Sequence, residues 1–233
     1  MPSAQDVGRL FARGLPVASR MMTPQVAGGA FRQVLEIAID GTAKLPGAKA
    51  HASRQFQRHG GASDPAIDGI IDFHVKMAGA QGFVTNLGGL AALPVTMPAN
   101  LAGVAVVQTR MVAALAHLRG YDLDDNRVRT ALIMCLLGGE QVAKKILAGK
   151  LPTSPLAVAT APMFDPHLDQ AVAEEVLSDL IQRVGGKNLA LSVTRRVPIL
   201  GGGVGAVMDG IATHQIGKYA KGELVVRRTL TPF

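Results

Sequence analysis

A chain of 233 residues with 48% apolar side chains is too hydrophobic for a disordered tail and long enough to bury a sizeable core, in one large domain or two small ones. Aromatic residues make up only 4%, tryptophan is absent and the single Cys135 excludes an internal disulfide, so small aliphatic side chains must fill the interior and a reducing compartment is expected. The net charge of +7 is uneven: residues 1–60 hold eight Lys/Arg against three acids, residues 183–233 eight against two, and the stretch between them eight against twelve.

The opening MPSAQDVGRLFARGLP has no apolar h-region. No secretory signal is expected, a cytoplasmic setting is the default, and residues 1–22 are read as a mobile segment. Thr23-Pro24 starts the first firm helix, with threonine capping and proline in the first helical position. Phe31, Val34, Leu35, Ile37 and Ala38 give it an apolar face, and Gly41 ends it. Residues 46–59 predict a basic surface helix closed by Gly60-Gly61. Asp64-Pro65 repeats the start signal, and Ile67, Ile70, Ile71, His74, Val75 and Ala78 recur at helical spacing.

From Met77 to Thr109 run 33 residues without a charge or a histidine. That is longer than the roughly 20 apolar residues a bilayer core requires. Pro94 and Pro98 divide the run, and Arg110 and His117 interrupt the half that follows. The expectation is two apolar helices joined by a proline corner, packed closely through Gly88 and Gly89, buried or dipping into a membrane surface without crossing it. Residues 101–118 are apolar on nearly all sides and are placed at the centre.

Tyr121 to Asn126 predicts a turn whose Asp124 or Asp125 caps a helix over 127–148. Residues 149–164, with three prolines, read as a loop. Asp165-Pro166 opens an amphipathic helix to Val184, ended by Gly185-Gly186. A further helix to about Arg195, a corner from Pro198 to Gly203 and a last helix to Tyr219 follow, with 221–233 as an irregular arm. The fold class is therefore all-α, a single compact multi-helix domain over 23–220 with a central apolar helix pair.

Chemistry-bearing patterns are few. Gly201-Gly202-Gly203-Val204-Gly205-Ala206 matches a dinucleotide fingerprint but lacks the strand and parallel sheet it needs. The preferred reading is that Gly201 and Gly205 let two helices approach. Asp209 and His214 are five apart, off a shared helical face, and no HExxH, CxxC or nucleophile elbow occurs, so no metal, no cofactor and no assignable catalytic residue are expected. An enzyme with an apolar pocket, such as a hydrolase using Asp209 or His214 near Arg196, is the alternative. Arg110 and His117, seven apart, share one face: either they line a cleft for an anionic headgroup, or Arg110 snorkels and His117 sits at a rim. Lys187, Arg195 and Arg196 flank the Pro198 corner as an anion-binding rim. Nucleic acid ranks low as a partner, since no helix-turn-helix, zinc or RRM signature accompanies the basic charge and only two tyrosines are present.

Two segments carry a resemblance. GLAALPVTMPANLAGVAVVQTRMVAALAHLRGYDLDD and RRVPILGGGVGAVMDGIATHQIGKYA together resemble the EcsC family, bacterial proteins associated with an ABC-transporter operon, over about residues 65–220. The first contains a Gly/Pro-rich apolar stretch followed by a "YGYD"-type turn, in which Arg119 replaces the first aromatic. The resemblance implies an all-helical protein near membrane or transport functions, and it transfers no catalytic residue. The function expected is thus a non-catalytic peripheral membrane or lipid-binding accessory protein at the inner face of the membrane. Its expected partners are anionic lipid, an apolar small molecule, or a transporter or other protein.

Overall fold

Proline or aspartate opens several of the helices, and glycines in the left-handed region close several of them. The computed structural model describes residues 24–42, 45–79, 99–194 and 200–227, of which 24–28, 30, 99–101, 184–194 and 200–206 by backbone alone. Helix α1 (Pro24–Asp40) ends at Gly41, whose φ of 86° a side chain would strain. The chain then folds back on the end of α1: a Cβ on Gly47 would lie 2.2 Å from the Ile39 carbonyl oxygen, so only glycine fits there. Helix α2 (Ala48–Arg58) stops at Gly60 and Gly61, with φ of 63° and 82°. Helix α3 (Ser63–Gly79) follows.

Helix α4 (Ala99–Leu118) closes at Gly120, φ 82°. Asp125 caps α5 (Asn126–Cys135) by accepting from the Arg127 amide at 2.8 Å. After α6 (Gly139–Leu147) and the short α7 (Pro155–Ala159), Asp165 accepts from the His167 amide at 2.9 Å and starts α8 (Pro166–Thr194). Helix α9 (Leu200–Glu223) is the last. The only extended pairing among the described residues is an isolated bridge between Gly41 and Pro46, so the fold is all-α.

Several element boundaries differ from those the sequence predicts, among them the corner expected from Pro198 to Gly203, of which Leu200 to Gly203 already belong to a helix. The helix expected over 127–148 is two helices, because Gly138 adopts φ 76° and turns the chain between α5 and α6. Gly185-Gly186 does not end a helix: α8 runs through both, since helix propensity is only a weak preference. Helix α9 continues past Tyr219 to Glu223, where Leu224 is fully buried and the Arg227 amide donates to the Arg119 carbonyl at 2.8 Å. The three-proline loop also contains α7.

Helix α4 is the axis of the molecule, in contact with α1, α2, α3, α5, α8 and α9. From Ala105 to Ala116 every residue is buried. The alanines at 102, 105, 113, 114 and 116 let neighbouring helices come close, and Met111, Val112, Leu115 and Leu118 fill the space between. The rest of the expected helix pair, residues 80–98 with Gly88, Gly89, Pro94 and Pro98, lies outside the described residues.

The most extensive pairing is α3 with α9. The glycine that permits it is Gly217, where a Cβ would sit 3.0 Å from both Ile71 Cγ atoms and 3.2 Å from Met111 Sδ. Gly210, seven residues earlier on the same face, lies against Val75. Gly201 and Gly205 are helical, but their surroundings lie outside the described side chains.

A Gly217→Val substitution forces Ile71 and Met111 apart and lowers unfolding stability by about 1–3 kcal/mol. Gly222→Ala, with open space around its Cβ, raises it by about 0.5 kcal/mol. Urea denaturation of the two variants measures both, and equal effects would contradict the close packing at Gly217.

Candidate functional site

Helix α4 carries two ionisable side chains, Arg110 and His117, and the structure treats them differently. Arg110 does not snorkel: it is 1% exposed and is the bulkiest of the fully buried side chains. Its guanidinium spans the junction of α2, α3 and the Gly41–Gly47 turn. Nε–H donates to the Pro46 carbonyl at 2.7 Å, which ties the turn to the core. Nη1–H points at His74 Nε2, 3.2 Å away, and at Met77 Sδ, 3.9 Å away.

His74 is also buried, on α3, and its tautomer follows from its neighbours. Nδ1 lies 2.7 Å from the Ile70 carbonyl and must donate to it, which leaves Nε2 as the acceptor facing Arg110. The ring is held neutral: burial and the adjacent guanidinium keep its pKa well below the usual histidine range.

A second histidine, His51 on α2, completes the cluster. It is 5% exposed, and its Nε2 has no hydrogen-bond partner. Its ring centroid is 5.1 Å from that of His74 in an edge-on arrangement and 4.7 Å from that of Phe73. Burial first, then the positive field of Arg110, Arg54 and Arg58, lowers its pKa to about 4. Phe73 is 39% exposed and its centroid is 5.9 Å from Arg110 Cζ, so one ring roofs both cationic and imidazole groups.

The acceptors around Arg110 are a carbonyl, an imidazole and a thioether, and none carries charge. Among the described residues no carboxylate pairs with it. Burial and the repulsion of Arg54 lower its pKa to about 10, which leaves it cationic at neutral pH. A buried, charged and unneutralised guanidinium stands out, because burying such a group costs several kcal/mol.

The remaining candidates do not join this cluster. His117 is half-buried at the far end of α4, where burial and Lys49 lower its pKa. Lys187 lies on α8 where only backbone is described, and Arg195 and Arg196 fall outside the described residues. On α9, Asp209 is half-buried and His214 exposed; no hydrogen bond or ion pair of His214 is found among the described residues. Cys135 is fully buried, and desolvation pushes its thiol far above the ordinary range, which makes it inert. Among the described residues no three His, Cys, Asp or Glu side chains group as a metal site. Sequence reasoning missed His51 and Phe73. The signal for His74 was present: it falls on the apolar stripe of α3, where a titratable side chain is out of place.

Because the folded pKa of His51 lies below its unfolded value of 6.5, the unfolded chain binds that proton more readily. Its contribution to stability is whole above pH 6.5 and is lost as pH falls toward about 4, with His74 acting in the same direction. From pH 7.5 to 5 His51 alone accounts for a loss of about 2 kcal/mol. Denaturation at the two pH values should show that loss, and His51→Gln should remove this share; an unchanged slope in the variant would refute the assignment.

Compared with known proteins, the chain matches no protein-family model, no curated protein and no solved structure.

Proposed function

We propose that the protein is a non-catalytic accessory protein of the EcsC-like class that binds anionic lipid from the cytoplasmic side of a membrane. The observation that carries this reading is the outer face of α2. Its sequence AKAHASRQFQR contains no acid, and Arg54 and Arg58, one turn apart and both exposed, have no acidic partner among the described residues. The third cation of the helix, Lys49, is paired with Asp124 at 2.9 Å. Each unpaired basic residue near an anionic surface contributes about 1 kcal/mol, and the attraction fades with salt.

The manner of binding is narrower than the sequence suggests. No helix among the described residues is long and apolar enough to cross a membrane. From Ala105 to Ala116 the helix that follows Pro98 is buried among other helices, which leaves that stretch no surface for lipid. Attachment through α2 is therefore electrostatic and peripheral.

The enzyme alternative has less support. A cavity of about 100 Å³ lies between α1, α5 and α8, lined by Phe31, Arg32, Asn126, Arg129 and Phe164 among others. Small-molecule sites span about 300–1,000 Å³, and neither Asp209 nor His214 lines this one. A second reading, a helical module that docks another protein, is favoured by Val207, Met208 and Ile211, which are 61%, 43% and 54% exposed on the first half of α9.

Co-sedimentation with vesicles containing phosphatidylserine should exceed that with neutral phosphatidylcholine vesicles and weaken in high salt. The double variant Arg54→Ala, Arg58→Ala should lose about tenfold or more in affinity. Equal binding to neutral vesicles, or no response to salt and to the double variant, would sink this reading.

A further inference from the structure

The cluster at Arg110 holds hydrogen-bonding capacity that the described residues leave unused. A guanidinium has five N–H donors in a planar fork. Nε and Nη1 of Arg110 are engaged, but Nη2 meets no acceptor among the described residues. His51 Nε2, on the helix facing it, is buried and unpartnered. Among the described residues no carboxylate balances the charge of Arg110; Arg54 adds to the positive field at Arg110 and at His51, and Arg58 to that at His51.

We propose that Arg110 and His51 form a seat for one phosphate-type oxyanion, reached beside the exposed ring of Phe73. The guanidinium supplies Nη2–H donors and the positive charge. His51 supplies a further donor in the tautomer that carries its proton on Nε2. His74 orients the guanidinium from behind: its Nδ1–H is fixed on the Ile70 carbonyl, and its Nε2 holds Nη1. A tetrahedral oxyanion accepts in several directions at once and brings the missing negative charge, and arginine forks match it in geometry. The net positive field, with no carboxylate beside it among the described residues, disfavours a metal cation at the same place. Phe73 gives entry because it is the partly exposed member of an otherwise closed cluster and covers both Arg110 and His51.

The seat goes beyond the membrane reading and does not rest on it. A protein inert toward vesicles would still take free phosphate there, whereas a lipid with a terminal phosphate would engage the seat and the α2 surface together.

Titration of the full chain with inorganic phosphate, against chloride at matched ionic strength, tests the seat by calorimetry and by thermal stability. Phosphate should bind and raise the melting temperature where chloride does not, and Arg110→Met should weaken phosphate binding by about tenfold or more. Arg110 also anchors Pro46, so Arg110→Met is not sufficient alone. His51→Phe keeps the Arg110 contacts to Pro46 and His74 and should weaken phosphate by about three- to tenfold, while the His51 resonances of the parent chain shift on binding.

The source is separated by vesicles of phosphatidic acid and of phosphatidylserine at equal charge. Preference for phosphatidic acid that inorganic phosphate competes away, and that His51→Phe removes, identifies a lipid headgroup. Phosphate binding without that preference identifies a free anion. Arg54→Ala, Arg58→Ala should reduce vesicle binding far more than phosphate binding, so failure of the membrane reading leaves the seat standing. No phosphate-specific effect on the parent chain, or phosphate binding in Arg110→Met and His51→Phe as strong as in the parent chain, overturns the seat.

Discussion

Enclosing α4 is the constraint on which the rest of the structure depends. A helix buried on every side must be narrow enough for its neighbours to reach it, and the alanines of α4 make it so. It must also satisfy every polar group inside the protein. Gln108 does so in part, donating to Thr213 of α9 at 3.2 Å while its Oε1 remains unpartnered. Arg110 is the harder case, because it brings a full charge. The turn at Gly41–Gly47, the His74 ring on the core side of α3 and the Phe73 ring beside it are arranged around that one guanidinium.

Much of the framework was legible because helix ends are local chemistry. Pro24, Asp125 and Asp165 mark starts, the aspartates by accepting from backbone amides, and Gly41, Gly60, Gly61 and Gly120 mark stops through their left-handed backbone. The failures share one physical cause. Gly138 and Gly185-Gly186 look alike in sequence, yet Gly138 turns the chain and the pair does not. A glycine permits a left-handed turn without requiring one, and packing decides which is used. The centrality of α4 could be read from its lack of a polar side. The partners of Arg110 could not, because Pro46 and His74 are 64 and 36 residues away in sequence.

The charged cluster is also poorly explained by stability. A buried cation without a counterion is less favourable than an apolar side chain of similar volume, and buried polar groups of this kind are often neutral or unfavourable to folding. Arg110 does fix the turn after α1, but one hydrogen bond to a carbonyl contributes only about 1–3 kcal/mol when the donor is charged. A neutral donor would hold Pro46 without the desolvation of a charge. The choice of arginine, beside a second imidazole with an idle nitrogen, is better accounted for by a negative ligand than by the fold.

Helix α2 connects this interior to the surface. Its inner side supplies Ala52, Phe56 and His51 to the core, and its outer side presents Arg54 and Arg58. His51 and Arg54 are one helical turn apart, and Arg54 lowers the proton affinity of both His51 and Arg110. The same field that makes the outer face attractive to an anionic surface therefore raises the free energy of the empty interior cluster. An anion at either place relieves part of that repulsion, and the effect on the other place has the opposite sign: neutralising Arg54 from outside weakens the pull on an anion within. Surface and seat are thus coupled through charge alone, with no conformational change required, and the coupling shrinks as salt screens the exposed half of it.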